Sequence, residues 1–176
     1  MRWLYFAILT LVVVILQTTV VQVIWVRTPF GYVGPELLTA VAVFAALHTR
    51  SRLDAALAGW TAGFAVDLLL SGPGMGLMSL LYMVASVAVH GVREVVFRDR
   101  AVTQMVLAGA FCLFVCGLLS VYDLLSGVLD GRGLGRQLIH STGVAAYTAL
   151  VTPVVCRVLE RFRRLVAPAP SGRKRR

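Results

Sequence analysis

Six apolar segments, at roughly 3–26, 35–48, 53–71, 74–92, 101–124 and 136–160, occupy most of this chain, and the charges fall almost wholly between them. A bilayer core about 30 Å thick takes about 20 apolar residues to cross as a helix, and most of the segments are near that length. Lipid offers no hydrogen-bond partner, so backbone polar groups must be satisfied within each segment, which selects helices. With 59% of 176 residues hydrophobic and 14% charged, the chain carries more apolar sequence than a soluble domain of this size needs. The expected fold class is therefore all-α, a polytopic membrane protein with six transmembrane helices in one bundle over residues 1–166. The tail 167–176 contains prolines and basic residues without periodicity, and is expected to be disordered and cytoplasmic.

The second segment is the shortest, with only about 15 residues from Pro35 to Thr49 near the lower limit for a crossing. Pro35 suits the start of a helix, and Glu36 beside it suits the positive end of the helix dipole. Charge bias tests the count independently. With both termini cytoplasmic, the inner side holds 14 of the 17 basic residues and the outer side only Arg27, Arg132 and Arg136. That is the positive-inside asymmetry expected of a multi-pass membrane protein, and dropping one crossing would scatter it. The first segment is too long for a signal peptide and has no small-residue cleavage site after it, so it reads as a retained span.

The +9 net charge does not indicate nucleic acid, because the basic residues sit where a membrane protein keeps its cytoplasmic anchors. Arg157, Arg161 and Arg164 share one helical face and, with Arg163 and the terminal RKRR, form a basic patch suited to anionic lipid or an acidic partner. No catalytic constellation is present: there is no His-Glu-x-x-His, no Gly-x-Ser-x-Gly and no phosphate loop in either glycine-rich turn. Cys112, Cys116 and Cys156 lie in apolar segments and read as core residues, with no metal ligand set beside them. No cofactor is expected. His48 and His90 are expected at the cytoplasmic interface, and the turns at 71–76 and 126–135 face outward.

Within the third segment, Ala55, Gly59, Gly63 and Asp67 recur every four residues and so stack on one helical face. Small residues at that spacing let two helices approach closely in a membrane. A carboxylate facing lipid would cost at least ~2.5 kcal/mol, so Asp67 should face the bundle or water. His140 and Asp67 each lie about 6 Å from the outer ends of their segments, which permits a pair between Asp67 and His140 or Arg136. Gln17, Pro35, Gly59, Gly63, Asp67, Gly76 and His140 are the expected packing and interior set.

In order along the chain, Leu16-Gln17, Pro35 with an acidic neighbour, Gly59-x-x-x-Gly63-x-x-x-Asp67-Leu68, the Ser71-Gly72 turn, and Gly76 with Tyr82 resemble the MreD family of rod shape-determining membrane proteins. The spacing from Asp67 to Gly76 is a residue longer than the family's usual pattern. The resemblance implies a non-enzymatic scaffold of the elongation machinery. Its partners would be MreC-like and other elongation-complex membrane proteins, RodA with its transpeptidase, and the actin-like MreB. It also implies an architecture similar to the substrate-binding subunits of energy-coupling-factor vitamin transporters. Such a subunit is the alternative reading, and it would need an outward pocket of converging polar and aromatic groups.

Overall fold

The computed structural model describes residues 3–19, 26–28, 31–49, 51–70, 76–92, 101–127 and 131–166. Six helices run α1 (Trp3–Thr19), α2 (Leu37–His48), α3 (Arg52–Leu70), α4 (Leu77–Val92), α5 (Ala101–Leu125) and α6 (Gly131–Val166). Between α1 and α2 lies a short antiparallel hairpin, β1 (Val26–Thr28) and β2 (Gly31–Val33), with Arg27 opposite Tyr32. Of the expected helical segment 3–26, α1 covers 3–19, residues 20–25 lie outside the described set, and Val26 opens β1. β-branched and aromatic residues on both sides of Pro29 favour extended backbone, and proline stops helical propagation there. The expected tail disorder at 167–176, most of the 71–76 turn and the basic connection 93–100 lie outside the described residues.

The local signals explain most helix ends. Ser51 opens α3: its hydroxyl accepts from the Leu53 N–H at 3.2 Å, and its carbonyl accepts from Ala55. Gly76, with φ +96, makes the left-handed turn into α4 that a side chain would strain. At the end of α1, the Thr18 and Thr19 hydroxyls donate back to carbonyls one turn earlier, which satisfies the hydroxyls within their own helix. α6 starts earlier and ends later than the expected 136–160, and passes through the buried Pro153. The connection between α5 and α6 is correspondingly shorter than 126–135.

The helices are arranged five around one. α1, α3, α4, α5 and α6 contact in that circular order, and each also contacts α2. All residues of α2 from Leu38 to Leu47 are buried. A helix apolar on every side belongs at the centre of a bundle, and α2 fits that rule with Thr39 as its only internal polar residue. At 12 residues it is about 18 Å long, well short of a bilayer core. Outside this core the pattern inverts. Leu4, Leu11, Leu57, Trp60, Val106, Phe114, Leu150 and Val154 are all exposed, on four different outer helices. Among the described residues two helices, Ala101–Leu125 and Gly133–Arg161, are long and apolar enough to cross a membrane.

Candidate functional site

Glu36 stands at the amino end of the central helix, in extended conformation, and the helix cannot satisfy its own first N–H groups. Other helices supply what is missing. Gln17 of α1 clasps the turn from both sides: its Oε1 accepts from the Leu37 N–H at 2.9 Å, and its Nε2 donates to the Pro35 carbonyl at 3.2 Å. The Glu36 N–H donates to the Thr148 hydroxyl of α6 at 3.0 Å. The carboxylate Oε2 accepts from Thr39 at 2.8 Å, from the Tyr82 hydroxyl of α4 at 3.3 Å and from the Cys112 thiol of α5 at 3.8 Å. Thr39 and Tyr82 are themselves 2.7 Å apart. The single Tyr82 proton can serve either Glu36 or Thr39, and when it goes to Thr39 the Thr39 proton goes to Glu36, so the three groups form a polarised chain.

Side chains of α1, α4, α5 and α6 thus meet α2 at one point, with Tyr82, Thr39, Cys112 and Thr148 all almost fully buried. Cys112 is the twelfth of the 25 residues of α5, and Thr148 the eighteenth of the 36 of α6. The amino end of α2 therefore starts level with the middle of its longest neighbours. The segment expected as a short second crossing forms a 12-residue helix, with extended chain preceding it and β2 against α6. A negative carboxylate at this end also complements the dipole of α2.

The opposite end of α2 is closed in the same way. His90 of α4 is buried, and its Nδ1 lies 3.1 Å from the Ala46 carbonyl, so Nδ1 carries the proton. The Thr49 N–H donates to Ala45. The interfacial role expected of His90 is replaced by this capping contact. His48 is half-buried and stacks on Phe44, with ring centroids 4.2 Å apart.

Gly59, Gly63 and Asp67 form the seam between α3 and α4. A Cβ on Gly63 would stand 2.5 Å from the Met78 carbonyl and 2.7 Å from the Ser79 Cα, and one on Gly59 would stand 2.5 Å from the Tyr82 carbonyl. Both glycines are therefore contact points between backbones. Gly59 also makes room for Ser86, whose hydroxyl is the one buried side-chain group without a partner among the described residues. One turn beyond Gly63, Asp67 is buried and caps α4. It accepts from the Met78 N–H at 3.2 Å, the Ser79 N–H at 3.0 Å and the Ser79 hydroxyl at 2.6 Å. Among the described residues the hydrogen bonds of the Asp67 carboxylate go to Met78 and Ser79 of α4, in place of the pair with His140 or Arg136 that the spacing permits.

The other expected residues are spread along the molecule. Pro35 is buried beside Glu36. Gly76 has nothing within 4 Å of the point where a Cβ would stand, so its place in the fold is set by its backbone angle. His140 is half-buried on α6, where Gln137 one turn earlier donates to Asp123 of α5 at 3.2 Å. Arg157 and Arg161 are exposed near the carboxyl end of α6, while the side chains of Arg163 and Arg164 lie outside the described set.

From sequence, Glu36 reads as a helix-opening acid, Tyr82 as part of the family pattern and Cys112 as a core residue, and none of them joins the expected interior set. Thr39 and Thr148 are missed altogether. The available signal was local: an acid followed at i+3 by a hydroxyl inside an otherwise apolar segment. The long-range partners carry no signal in one sequence.

Comparison with known proteins agrees with the sequence pattern. The family model described as rod shape-determining protein MreD matches residues 1–130. No curated protein and no solved structure matches the chain.

Proposed function

This chain belongs to the MreD family of rod shape-determining proteins, and on that premise we propose that it is a non-enzymatic scaffold of the elongation machinery. The family places it among membrane proteins of cell-shape determination. In the proposed role, six crossings with both termini cytoplasmic hold a rigid bundle in the inner membrane. The bundle positions lateral peptidoglycan synthesis through contacts with MreC-like and other elongation-complex proteins, with MreB within reach on the cytoplasmic side. The basic end of α6 binds anionic lipid.

The observation that carries this reading is the clasp around Glu36. Its polar groups are spent on one another and on the ends of α2, linking five helices into one body. That arrangement gives a stiff frame to which other membrane proteins can attach. Expressing the chain in a rod-shaped bacterium lacking its own MreD tests the role. Restoration of rods by the wild type, and retention of an MreC-like protein on the tagged chain, are expected. Rods restored without any such retention would refute the scaffold reading.

A further inference from the structure

α3 sorts its side chains by size. Alanines and glycines face α2 and α4, while Leu53, Leu57, Trp60, Phe64 and Leu68 form a continuous exposed stripe at spacings of three and four residues. Trp60 and Phe64 are stacked on each other, with centroids 5.8 Å apart and planes 17° apart, and they are 43% and 45% exposed. Trp60 stands eight residues from Arg52 and ten from Leu70, so it is about 12 Å from one end of α3 and about 15 Å from the other.

Tryptophans exposed to a bilayer sit at its interfaces, where the indole N–H finds water or headgroup oxygen. Trp60 is at the wrong depth for that, and its N–H has no partner among the described residues. Acyl chains carry no acceptor, so lipid alone leaves the donor unsatisfied. A second copy packed about a two-fold axis would set the same stripe against itself, and these five residues include no acceptor side chain. The requirement is for a different helix.

We propose that this stripe of α3 is a docking surface for a transmembrane helix of a partner protein. That helix presents a serine, threonine or amide oxygen to the Trp60 N–H at mid-depth, with small residues over the Phe64 ring. Close approach of small residues and an interhelical hydrogen bond are the two terms that drive helix association in lipid, and a pre-stacked aromatic pair is a rigid anchor for such a contact. The inference rests on the six-crossing scaffold reading above and adds the surface through which the scaffold works.

A chain with Trp3→Phe and Trp25→Phe leaves Trp60 as the single tryptophan. Reconstituted alone in phosphatidylcholine brominated at mid-chain, its fluorescence is expected to be strongly quenched. Co-reconstitution with the MreC-like protein should reduce that quenching at least about twofold. Trp60→Phe, which keeps an aromatic ring and removes the donor, should weaken retention of the MreC-like protein about threefold to tenfold with an unchanged melting temperature. Unchanged quenching and unchanged retention, with the partner bound, would overturn the α3 surface and leave the scaffold reading standing. Protection of Trp60 in the chain alone, growing with the protein-to-lipid ratio, would assign the stripe to a second copy and likewise overturn the proposal. Failure of the wild type to retain the partner would overturn the scaffold reading and this surface with it.

Discussion

Asp67 and Ser79 are joined twice: one carboxylate oxygen, Oδ2, accepts from both the Ser79 N–H at 3.0 Å and the Ser79 hydroxyl at 2.6 Å. The other oxygen takes the Met78 N–H. The last turn of α3 thus caps the first turn of α4, across the same seam that Gly59 and Gly63 open. An acid near its own helix's carboxyl end opposes that dipole, and here the amino end of the neighbouring helix offsets the cost.

Replacing Asp67 therefore separates capping from charge. Asp67→Leu removes every acceptor and leaves two backbone donors and a buried hydroxyl open. It is expected to destabilise the folded protein by about 2 kcal/mol or more. Asp67→Asn keeps one acceptor oxygen and should lose less than half as much. Thermal unfolding of the detergent-solubilised protein measures both. Melting temperatures of both variants equal to that of the wild type would mean that the cap contributes nothing.

Gly63 and Gly117 make a matched pair of opposite expected sign. A methyl group on Gly63 meets the Met78 carbonyl at 2.5 Å, and α4 must move away, at a cost of about 1–3 kcal/mol. Nothing lies within 4 Å of the corresponding position on Gly117 in α5. Gly117→Ala should be neutral or stabilise by up to about 1 kcal/mol. Comparison of folded yield after membrane extraction, and of melting temperature, decides the matter.

Tyr82→Phe keeps the ring, which meets Phe111 edge-on at 5.1 Å, and deletes only the hydroxyl. The deletion leaves Thr39 to serve Glu36 without its own donor, and about 1–2 kcal/mol of stability should be lost. Glu36→Gln preserves one acceptor oxygen, whereas Glu36→Leu removes the acceptor that Thr39, Tyr82 and Cys112 surround. The expected order of melting temperatures is wild type, Glu36→Gln, then Glu36→Leu. If Tyr82→Phe and Glu36→Leu destabilise additively in the double variant, the two residues do not share a network.

Neutralising Arg157, Arg161 and Arg164 to glutamine removes three positive charges at the carboxyl end of α6, and deleting 167–176 removes a basic segment with no apolar stripe. The triple variant is expected to lower insertion fidelity or lipid binding. The deletion should leave shape complementation largely intact. A cysteine introduced at position 130 in a cysteine-free background reports orientation through its accessibility to an impermeant reagent. Loss of complementation from the tail deletion alone, with orientation unchanged, would make the tail a specific docking peptide.

Hydropathy and spacing alone determined that this chain forms six apolar helices and that Gly59, Gly63 and Asp67 share a face, because both follow from the 3.6-residue period of a single helix. They also located the start of α2 at Pro35 and Glu36, where the local chemistry of a helix end is written in adjacent residues. Only the tertiary structure decided that the shortest helix is the centre and that its amino end draws in Gln17, Tyr82, Cys112 and Thr148. The same holds for Asp67, which serves α4 and not α6. Those choices depend on which helix lies beside which, and a segment's own periodicity says which face is small or polar without naming the neighbour that will meet it. The hairpin at 26–33 has the same origin: its apolar residues suit a helix or a strand, and the half-length α2 beside it leaves extended chain as the path that reaches Pro35.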